Sequence, residues 1–551
     1  MNKLAALWLR IEKIFYDDIL LILGITFFNI FPVKFEDFIN NTNSSYLIKL
    51  IKSCYRFSDD FLIVFFIFFL LSFCNKILKK IIVSIVFILS GLLFAGEMLS
   101  LKLFGSIISP RILQVILETN KNEAFEFIDT YFKFKYLFYI FVILGFFLLI
   151  KKWLKKFFNF TIKNIFKLKI LRLLFIFVLF AKILFISKTP LVNFTFGRIH
   201  SSMKICNQVF KQYKEIEKIK ADITFLEKNS NIKNVIFIIG ESTTRNHMGM
   251  YGYSLDTTPL MEKLEKDGNL FKFKDVISPH AHTIPSLKKI LTFYNQESTK
   301  KWFEYNNLID IMKLADYKTY WFSNQESSGL YGNVATAFAK KSDILLFNNK
   351  RDSSDRDVKN SYDEQIIDKS IPYIDNNSNN FIIYHLIGTH STYKNRYPKE
   401  FNKFKNKNDI ISSYDNAILY NDFIINKIIS LFKDTEAIIF YLSDHGEEVY
   451  DFREFVGHAE GNGSRYMIEI PFIIYTTNKF KENHSNIINK IKNSLNNPYM
   501  TDDFIHTLLD ITQIKTVEFD ETRSIISDKF NSDRKRIFAG KNYDEYWKNK
   551  N

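Results

Sequence analysis

The stretch that decides the fold is Ala437-Ile-Ile-Phe-Tyr-Leu-Ser-Asp-His-Gly-Glu447. Six apolar residues in a row predict a strand buried on both faces, and the polar residues after them stand where that strand ends. Similar short runs alternate with helical stretches, at 234–239, 318–322, 381–384 and 471–475. This alternation predicts an α/β domain over 231–551, with a largely parallel sheet flanked by helices.

Polar clusters follow four of the five predicted strands. They read Gly240-Glu-Ser-Thr-Thr244, Ser323-Asn-Gln-Glu326, His385-Leu-Ile-Gly-Thr-His390 and Ser443-Asp-His-Gly-Glu447. In an open α/β sheet the carboxyl ends of the strands share one edge, and ligands bind outside that edge. We therefore expect the four clusters to converge in space.

Two of these clusters carry residue types that bind metals. Glu241, Asp444 and His445 offer two carboxylates and one imidazole, a set that suits zinc or manganese. The alternative is that the Asp-His pair caps a helix or makes an ordinary hydrogen bond. The position of both motifs at strand ends favours the metal.

A hydroxyl that could act as a nucleophile lies in Ser278-Pro-His-Ala-His-Thr283. A Thr side chain bound to a metal needs no neighbouring base, because the cation lowers the pKa of the hydroxyl and stabilises the attacking oxygen. The alternative role for Thr283 is the N-cap of a helix that begins near Ser286.

Residues 1–190 have a different character. Five apolar segments follow one another, at 15–33, 61–74, 81–103, 136–150 and 170–186. A helix that is apolar on all sides must be buried all round, in lipid or among other helices, so the series predicts five transmembrane helices.

Two charged residues, Glu97 and Lys182, interrupt these apolar segments. An ionisable group inside a membrane helix is a candidate for a functional role. The alternative is a side chain that snorkels to the membrane surface from near a helix end.

Basic residues predict the orientation of the membrane domain. Three loops, 1–13, 75–80 and 151–169, carry 13 Lys and Arg in 38 residues, whereas 34–60 and 105–136 carry eight in 59. This bias places the N-terminus in the cytoplasm and everything after residue 190 on the outer side of the membrane.

The region 191–230 between the two predicted domains contains one amphipathic stripe. Its members are Val209, Tyr213, Ile216, Ile219 and Ile223, at helical spacing. The stripe predicts a bridging helix that either lies along the membrane surface or packs on the outer domain.

The formal net charge of +15 does not indicate a nucleic-acid partner. Residues 1–200 carry 26 Lys and Arg against 12 Asp and Glu, whereas residues 201–551 carry 48 against 47. The basic excess therefore reflects membrane topology and contact with anionic lipid headgroups. Only one cysteine, Cys206, lies beyond residue 200, so the outer domain depends on packing and not on disulfides.

Seven motifs follow one another along the chain. They are Gly240-Glu-Ser-Thr243, Tyr251-Gly-Tyr-Ser-Leu-Asp-Thr-Thr-Pro259, Ser278-Pro-His-Ala-His-Thr283, Tyr384-His-Leu-Ile-Gly-Thr-His390, Tyr414-Asp-Asn-Ala-Ile-Leu-Tyr-Asn-Asp422, Ser443-Asp-His-Gly-Glu-Glu448 and Gly457-His458. In this order they resemble the phosphoethanolamine transferases, inner-membrane enzymes of the alkaline phosphatase and sulfatase superfamily. The resemblance covers nearly the whole chain and implies five membrane helices before a periplasmic, alkaline phosphatase/sulfatase-like domain.

The resemblance implies roles for particular residues. The matches to the family's zinc ligands are Glu241, Asp444, His445 and the nucleophile Thr283, which is itself the fourth ligand. The matches to histidines that hold the phosphate or a second zinc are His390 and His458, and His385 matches a further pocket histidine. The matches to a segment that reaches the donor lipid are Thr119 and Glu123, for which a solvated helix face is the alternative.

The reaction that the resemblance implies is a double displacement. Thr283 attacks the phosphodiester of phosphatidylethanolamine, diacylglycerol leaves, and phosphoethanolamine passes from Thr283 to a cell-envelope acceptor. Lipid A or the lipopolysaccharide core is the favoured acceptor, with another glycan or a surface protein as alternatives. The implied protein is a multi-pass monomer of the bacterial inner membrane with one zinc ion or two.

Three rival interpretations remain open at this point. A phosphoglycerol transferase of the lipoteichoic acid synthase type shares the five-helix plan and a Thr nucleophile but fits the motifs around Thr283 and Asp444 less well. A sulfatase needs Cys or Ser in a Cys/Ser-x-Pro-x-Arg pattern, which Thr283-Ile-Pro-Ser-Leu287 lacks. A membrane sensor or transporter would need a polar pathway through the membrane helices.

Overall fold

The computed structural model describes residues 3–40, 46–119, 194–219, 221–326, 334–349, 362–405 and 408–550, with positions 124, 125, 142 and 145. The chain divides into two compact units. The first comprises Met1–Ile116 and Tyr131–Asn207, and the second comprises Leu117–Thr130 and Gln208–Asn551. The boundary at residue 207 falls inside the predicted bridging region.

The described part of the first unit is helical. Its helices are α1 (Lys3–Asp17), α2 (Ile19–Asn40), α3 (Tyr46–Leu71), α4 (Lys76–Phe104), α5 (Pro110–Glu118) and the first half of α6 (Thr195–Lys218). The last two residues of α5 belong to the second unit. Among the described residues, two helices are long and apolar enough to cross a membrane, at Ile19–Phe38 and Lys76–Phe104. The predicted segment 61–74 lies largely in α3, and the segments 136–150 and 170–186 lie outside the described residues. The count of five spanning helices therefore stays a prediction.

Helix α4 has an exposed apolar face. Five side chains at spacings of three and four residues are 51% to 76% exposed, namely Ile77, Ile81, Ile85, Ile88 and Leu92. Water would penalise such a face, whereas lipid would not, so the pattern suits a helix that contacts the membrane interior.

Glu97 in α4 is fully buried and does not snorkel. Its Oε1 accepts a hydrogen bond from Arg198 Nη2 at 2.7 Å, and its Oε2 accepts one from the Ile108 amide at 2.8 Å. The carboxylate therefore joins α4, the turn after it and the start of α6 within the first unit. Lys182 lies outside the described residues.

The second unit is built on a mixed seven-stranded sheet. Its strands are β2 (Asn234–Gly240), β3 (Leu270–Phe273), β5 (Lys318–Glu326), β6 (Ile344–Asn349), β7 (Asn380–His385), β8 (Ala437–Ser443) and β11 (Phe472–Thr476). Their order is β3-β11-β8-β2-β7-β5-β6. The pairs from β8 to β6 are parallel, and β11 is antiparallel to both of its neighbours. The prediction of a largely parallel sheet holds, but the last predicted strand runs in the opposite direction.

Short strands accompany the main sheet in four separate pairs. They are β1 (Phe225–Lys228) with β13 (Ile514–Thr516), β4 (Asp275–Ile277) with β12 (Pro498–Met500), β9 (Glu448–Val449) with β10 (Val456–Gly457), and β14 (Ile537–Phe538) with β15 (Lys541–Asn542). The helices of this unit are α7 (Pro259–Lys266), α8 (Thr283–Ile290), α9 (Leu308–Leu314), α10 (Val334–Ala339), α11 (Asp363–Ser370), α12 (Asp409–Phe432), α13 (Asn478–Asn483), α14 (Ser485–Ser494) and α15 (Phe504–Ile511).

The central strands are buried along their whole length, with side chains that alternate between two apolar faces. Alternate residues of β2 and β8, such as Ile236 and Ile439, pack with the long helix α12. On the other face, Phe237 stacks against Phe504 of α15 with ring centroids 4.5 Å apart. Each fully buried side chain of this size contributes about 1.5–3 kcal/mol, so the sheet edge that carries the polar clusters rests on a rigid scaffold.

The last turns of α6 pack on the second unit. Phe210, Tyr213 and Ile216 are buried, and the Tyr213 ring lies 6.1 Å from that of Trp302. Lys288 Nζ lies 5.3 Å from the Tyr213 ring, a cation–π contact with the helix that begins at Thr283. The buried stripe thus consists of Phe210, Tyr213 and Ile216, whereas Val209 is only partly buried. The predicted stripe residues Ile219 and Ile223 lie beyond the end of the helix, and Ile219 is 45% exposed. The packing alternative describes the last turns of this helix better than the membrane surface.

A buried ion-pair network holds the C-terminal segment. Arg534 lies 2.7 Å from Asp502 and 2.8 Å from Asp503, and both carboxylates are at most 2% exposed. We expect Arg534→Met to lower the free energy of unfolding by about 3–5 kcal/mol, because the buried Asp502 loses its ion-pair partner and Asp503 keeps only Arg523. Urea denaturation of the full chain measures this.

Lys529→Ala is the matched control, because Lys529 forms an exposed pair with Glu521. Its loss should cost less than about 1 kcal/mol. Equal and small effects of the two substitutions would contradict the assigned role of Arg534.

Candidate metal and nucleophile site

Strand register brings the polar clusters together. Gly240 of β2 is paired with Ser443 of β8, so Glu241 and Asp444 are each the first residue beyond neighbouring parallel strands. On the other side of β2, Ile239 is paired with His385 of β7. Ser323 of β5 is paired with His385 in turn. All four clusters therefore lie along one edge of the sheet, as the sequence predicts.

Four side chains meet at this edge. His445 Nε2 lies 3.2 Å from Glu241 Oε1 and 3.5 Å from Asp444 Oδ2. Thr283 Oγ1 lies 3.1 Å from Glu241 Oε2 and 3.4 Å from His445 Nε2. The three acidic and imidazole groups are at most 2% exposed, so a hydroxyl is held against a buried, charged cluster.

The donor atoms of this cluster fit a divalent metal ion. One ligand atom from each of Glu241, Asp444 and His445 lies within 4.8 Å of the others. Asp444 Oδ2 is buried and has no hydrogen-bond partner among the described residues. His445 Nδ1 donates to the Gly446 carbonyl at 2.9 Å, which leaves Nε2 facing the two carboxylates. A cation at this point would satisfy every unpaired ligand atom.

The pKa values of the three groups reflect their crowding. Burial raises the pKa of Asp444 to about 8, and the charge of Glu241 adds to the effect. Burial would lower the pKa of His445, but the Asp444 charge and the Glu241 hydrogen bond outweigh it and raise that pKa to about 10. Burial alone would raise the pKa of Glu241, but the hydrogen bond and charge of His445 outweigh burial and hold that pKa below its usual range. A divalent cation would replace the proton on His445 and balance both carboxylates.

Thr283 is the first residue of α8 and not its N-cap. His282 occupies the N-cap position in extended conformation, without a side-chain capping bond. The Thr283 hydroxyl is therefore turned toward Glu241 and His445. The helix begins three residues before Ser286, so the capping alternative is wrong for this residue.

Backbone contacts brace the loop that carries Glu241. Ser242 has a φ of 56°, a left-handed conformation that is costly for a residue with a side chain. Its amide donates to Asp444 Oδ1 at 3.2 Å, and its carbonyl accepts from Tyr414 OH at 2.7 Å. The same Tyr414 oxygen accepts from the Thr244 amide at 3.0 Å. Hydrogen bonds to Asp444, which follows β8, and to Tyr414 of α12 therefore hold Ser242 in its strained conformation.

Asp363 is a supporting residue that motif reasoning missed. Its buried carboxylate accepts from the amides of Ile387 and Gly388 at 2.9 and 3.0 Å, and from Asn324 Nδ2 at 2.9 Å. These bonds fix the loop that follows β7 and lies against the Glu241 backbone. Asp363 lies far from the motifs in sequence, and its position at the start of α11 gave no signal beyond an ordinary acidic first turn.

The predicted site histidines differ in their surroundings. His458 Nδ1 lies 2.5 Å from Glu447 Oε2, and its ring centroid lies 4.1 Å from that of His445. His445, Glu447 and His458 also form a second group with metal-ligand spacing. His385 is buried, which lowers its pKa to about 4 and keeps it neutral. His390 is partly buried, and its Nδ1 lies 3.1 Å from the Ser391 carbonyl oxygen.

Thr119 and Glu123 are the two residues predicted to reach the donor lipid. Thr119 belongs to the same compact unit as the cluster. Glu123 lies outside the described residues. Their predicted role stays a prediction.

An α/β sheet that ends in a buried carboxylate–imidazole cluster beside a hydroxyl forms a site that could hold a divalent metal and present a nucleophile. The sulfatase family profile matches residues 233–514, just over half of the chain. The chain belongs to the sulfatase family. Phosphoethanolamine transferase EptC of Escherichia coli is 32% identical over 323 residues, which cover 55% of this chain and 55% of that protein. The chain thus matches about half the length of this relative.

Solved structures of phosphoethanolamine transferases are similar to this chain. The crystal structure of the C-terminal periplasmic domain of EptC from Escherichia coli, in complex with Zn, is 30% identical and covers 60% of this chain and 96% of its own, with a TM-score of 0.54. The integral membrane protein lipooligosaccharide phosphoethanolamine transferase A of Neisseria meningitidis is 20% identical and covers 92% of this chain and 97% of its own, with a TM-score of 0.59. The latter shares the fold. The resemblance to phosphoethanolamine transferases is confirmed.

Gly388 tests the coupling between the β7 loop and the metal ligands. It has a φ of 50°, and a Cβ there would lie 2.9 Å from the Glu241 carbonyl oxygen. We expect Gly388→Ala to displace Glu241 and to weaken zinc affinity by about 10-fold to 100-fold, as loss of supporting contacts does at metal sites. Competition with a chelator measures this.

Gly268→Ala is the matched control, because Gly268 has a φ of 72° with open space around the added Cβ. Both substitutions should lower the thermal midpoint through backbone strain. Only Gly388→Ala should lose zinc affinity, and unchanged affinity in that variant would contradict the coupling.

Proposed function

We propose that the protein transfers phosphoethanolamine from phosphatidylethanolamine to a cell-envelope acceptor, most directly lipid A or the lipopolysaccharide core. The observation that carries the proposal is the position of Thr283 Oγ1, 3.1 Å from Glu241 and 3.4 Å from His445. The named activity of the relatives supports the choice of transferred group.

Glu241, Asp444, His445 and Thr283 would hold a zinc ion. When bound, the ion would lower the pKa of the Thr283 hydroxyl and offset negative charge on the phosphoryl oxygens. A zinc complex of a similar domain supports the choice of metal. The group formed by His445, Glu447 and His458 would be the place for a second zinc ion.

The proposed reaction has two displacements at phosphorus. In the first, Thr283 Oγ1 gives up its proton and bonds to phosphorus, the bond to the diacylglycerol oxygen breaks, that oxygen takes up a proton, and phosphoethanolamine stays on Thr283. In the second, an acceptor hydroxyl gives up its proton and its oxygen bonds to phosphorus, the bond between phosphorus and Thr283 Oγ1 breaks, and Thr283 takes up a proton. The two steps replace one difficult transfer by two easier ones.

His458 is suited to move protons in both steps. Glu447 orients its ring through Nδ1, so Nε2 is the nitrogen that would take part in proton transfer. Burial and the neighbouring charge of His445 lower the pKa of His458, so its imidazole is neutral at pH 7. A neutral imidazole can accept the proton of an acceptor hydroxyl.

The proposal includes an inner-membrane location with the catalytic unit in the periplasm and a monomeric chain of five membrane helices. The exposed apolar face of α4 and the basic loops before residue 170 support it. A full-length structural neighbour that is an integral membrane protein agrees with this arrangement.

Substitution of the nucleophile tests the chemistry. We expect Thr283→Ala to reduce transfer from fluorescent phosphatidylethanolamine to the background rate, because the variant lacks the oxygen on which the proposed covalent link forms. Zinc content should stay near the wild-type level, since three ligands remain. Transfer by Thr283→Ala at the wild-type rate would contradict the assignment.

Thr292→Ala is the control for this experiment. Thr292 follows the same helix and its buried hydroxyl donates to the Lys288 carbonyl. It should retain full transfer, because its hydroxyl lies outside the metal-ligand cluster.

Mass spectrometry of lipid A tests the acceptor. Lipid A from cells that express the wild-type chain should gain the mass of phosphoethanolamine, and lipid A from cells with Thr283→Ala should not. A gain on another envelope glycan alone would overturn the lipid A assignment. No gain on any envelope molecule would overturn the transfer itself.

A further inference from the structure

We propose that His247 is a positively charged positioning residue that holds Glu241 and the pair Asp444-His445 at metal-binding distance by bridging Asp415 and Asp451. The inference deepens the proposed function, on which its reference to a metal rests. Nothing in the seven sequence motifs assigns His247 a role, because it lies between the first two of them.

Both ring nitrogens of His247 face carboxylates. Nδ1 lies 2.7 Å from Asp415 Oδ1, and Nε2 lies 2.9 Å from Asp451 Oδ1. A neutral imidazole carries one N–H and could donate to only one of them, whereas an imidazolium donates to both. With both nitrogens engaged, His247 cannot be a metal ligand, and its place between two acids assigns it a charge.

The three members of this clamp come from three elements. His247 ends the loop that starts at Glu241, Asp415 lies in α12, and Asp451 follows the segment that carries Asp444 and His445. The clamp, defined as His247, Asp415 and Asp451, therefore joins the two loops that supply Glu241, Asp444 and His445.

Further hydrogen bonds tie the clamp to the ligand loops. Tyr414, one residue before Asp415, binds the Ser242 carbonyl and the Thr244 amide through its hydroxyl. Asp451 Oδ2 accepts from the Val449 amide at 2.7 Å. A change in the clamp would thus be transmitted to both loops through short, directed bonds.

The charged and titratable groups that face His247 are few. Besides the two carboxylates, Tyr253 stacks on the ring at 4.6 Å and donates to Asp415 Oδ2 at 3.2 Å. Tyr414 meets the ring edge-on at 5.2 Å. Among the described residues, His247 thus contacts two acids and two tyrosines.

Burial lowers the pKa of His247, but its bonds to Asp415 and Asp451 outweigh burial and raise that pKa to about 9. The folded-state pKa is above the unfolded value of about 6.5. The clamp therefore stabilises the folded chain fully below about pH 6.5, and this contribution disappears as the pH rises through about 9.

The test compares His247→Gln with the double variant His247→Gln/Asp415→Asn. Glutamine removes the charge and leaves two facing carboxylates uncompensated, so we expect zinc affinity to fall by about 10-fold to 100-fold. The double variant removes one of those carboxylates and should recover most of the loss. Zinc affinity of the full chain in detergent is measured by chelator competition, without any substrate.

His484→Gln is the matched control. His484 is also buried and lies 3.0 Å from a carboxylate, that of Glu436, but it belongs to the α13–α14 junction. This variant should bind zinc like the wild type. Zinc affinity of His247→Gln within about twofold of the wild type would overturn the proposal.

Thermal unfolding against pH separates a charged clamp from simple packing. The difference in midpoint between wild type and His247→Gln should be largest at pH 6 to 7 and should shrink above about pH 9. A difference that stays constant to pH 10 would overturn the proposal.

If His247→Gln does not fold, the double variant decides. Zinc affinity within about tenfold of the wild type supports the clamp, and a double variant that also unfolds or binds no zinc overturns it. These measurements use no transfer assay. A failure of the proposed transfer reaction would therefore appear separately, in the Thr283→Ala experiment.

Discussion

The parallel pairing of β2 with β8 is the constraint on which the site depends. Gly240 and Ser443 are register partners, so the residues that follow them, Glu241 and Asp444, must emerge side by side. The carboxylates are then too close and too buried to be stable alone. A cationic group must lie between them, and His445 and a metal ion are the groups that the geometry can accept.

The surroundings of the cluster show how a chain can hold such acids in place. Tyr414 braces the strained Ser242, and Asp363 fixes the loop whose Gly388 lies against the Glu241 backbone. Supporting contacts of this kind orient metal ligands and contribute to affinity as directly as the ligands do. His247 is proposed to orient the metal ligands in the same way, but through charged hydrogen bonds to Asp415 and Asp451.

The sequence predicted the parts of the fold that depend on local pattern. Each central strand is a continuous apolar run, and the residues at its end are the polar groups of the site. The edge strands β3 and β6 were not predicted, and neither was the antiparallel direction of β11, because strand pairing depends on contacts distant in sequence. The motifs predicted Glu241, Thr283, Asp444 and His445 as neighbours. They did not indicate Asp363 or His247, because the partners of these two residues are also distant in sequence.

A direct test of the central claim is the identification of the covalent group on Thr283. Wild-type protein would be incubated with isotopically labelled phosphatidylethanolamine and no acceptor, quenched, digested and analysed by peptide mass spectrometry. We expect the peptide containing Thr283 to gain one labelled phosphoethanolamine group, which disappears when acceptor is added before quenching. Diacylglycerol release without label on Thr283, or label on a different residue, would contradict it.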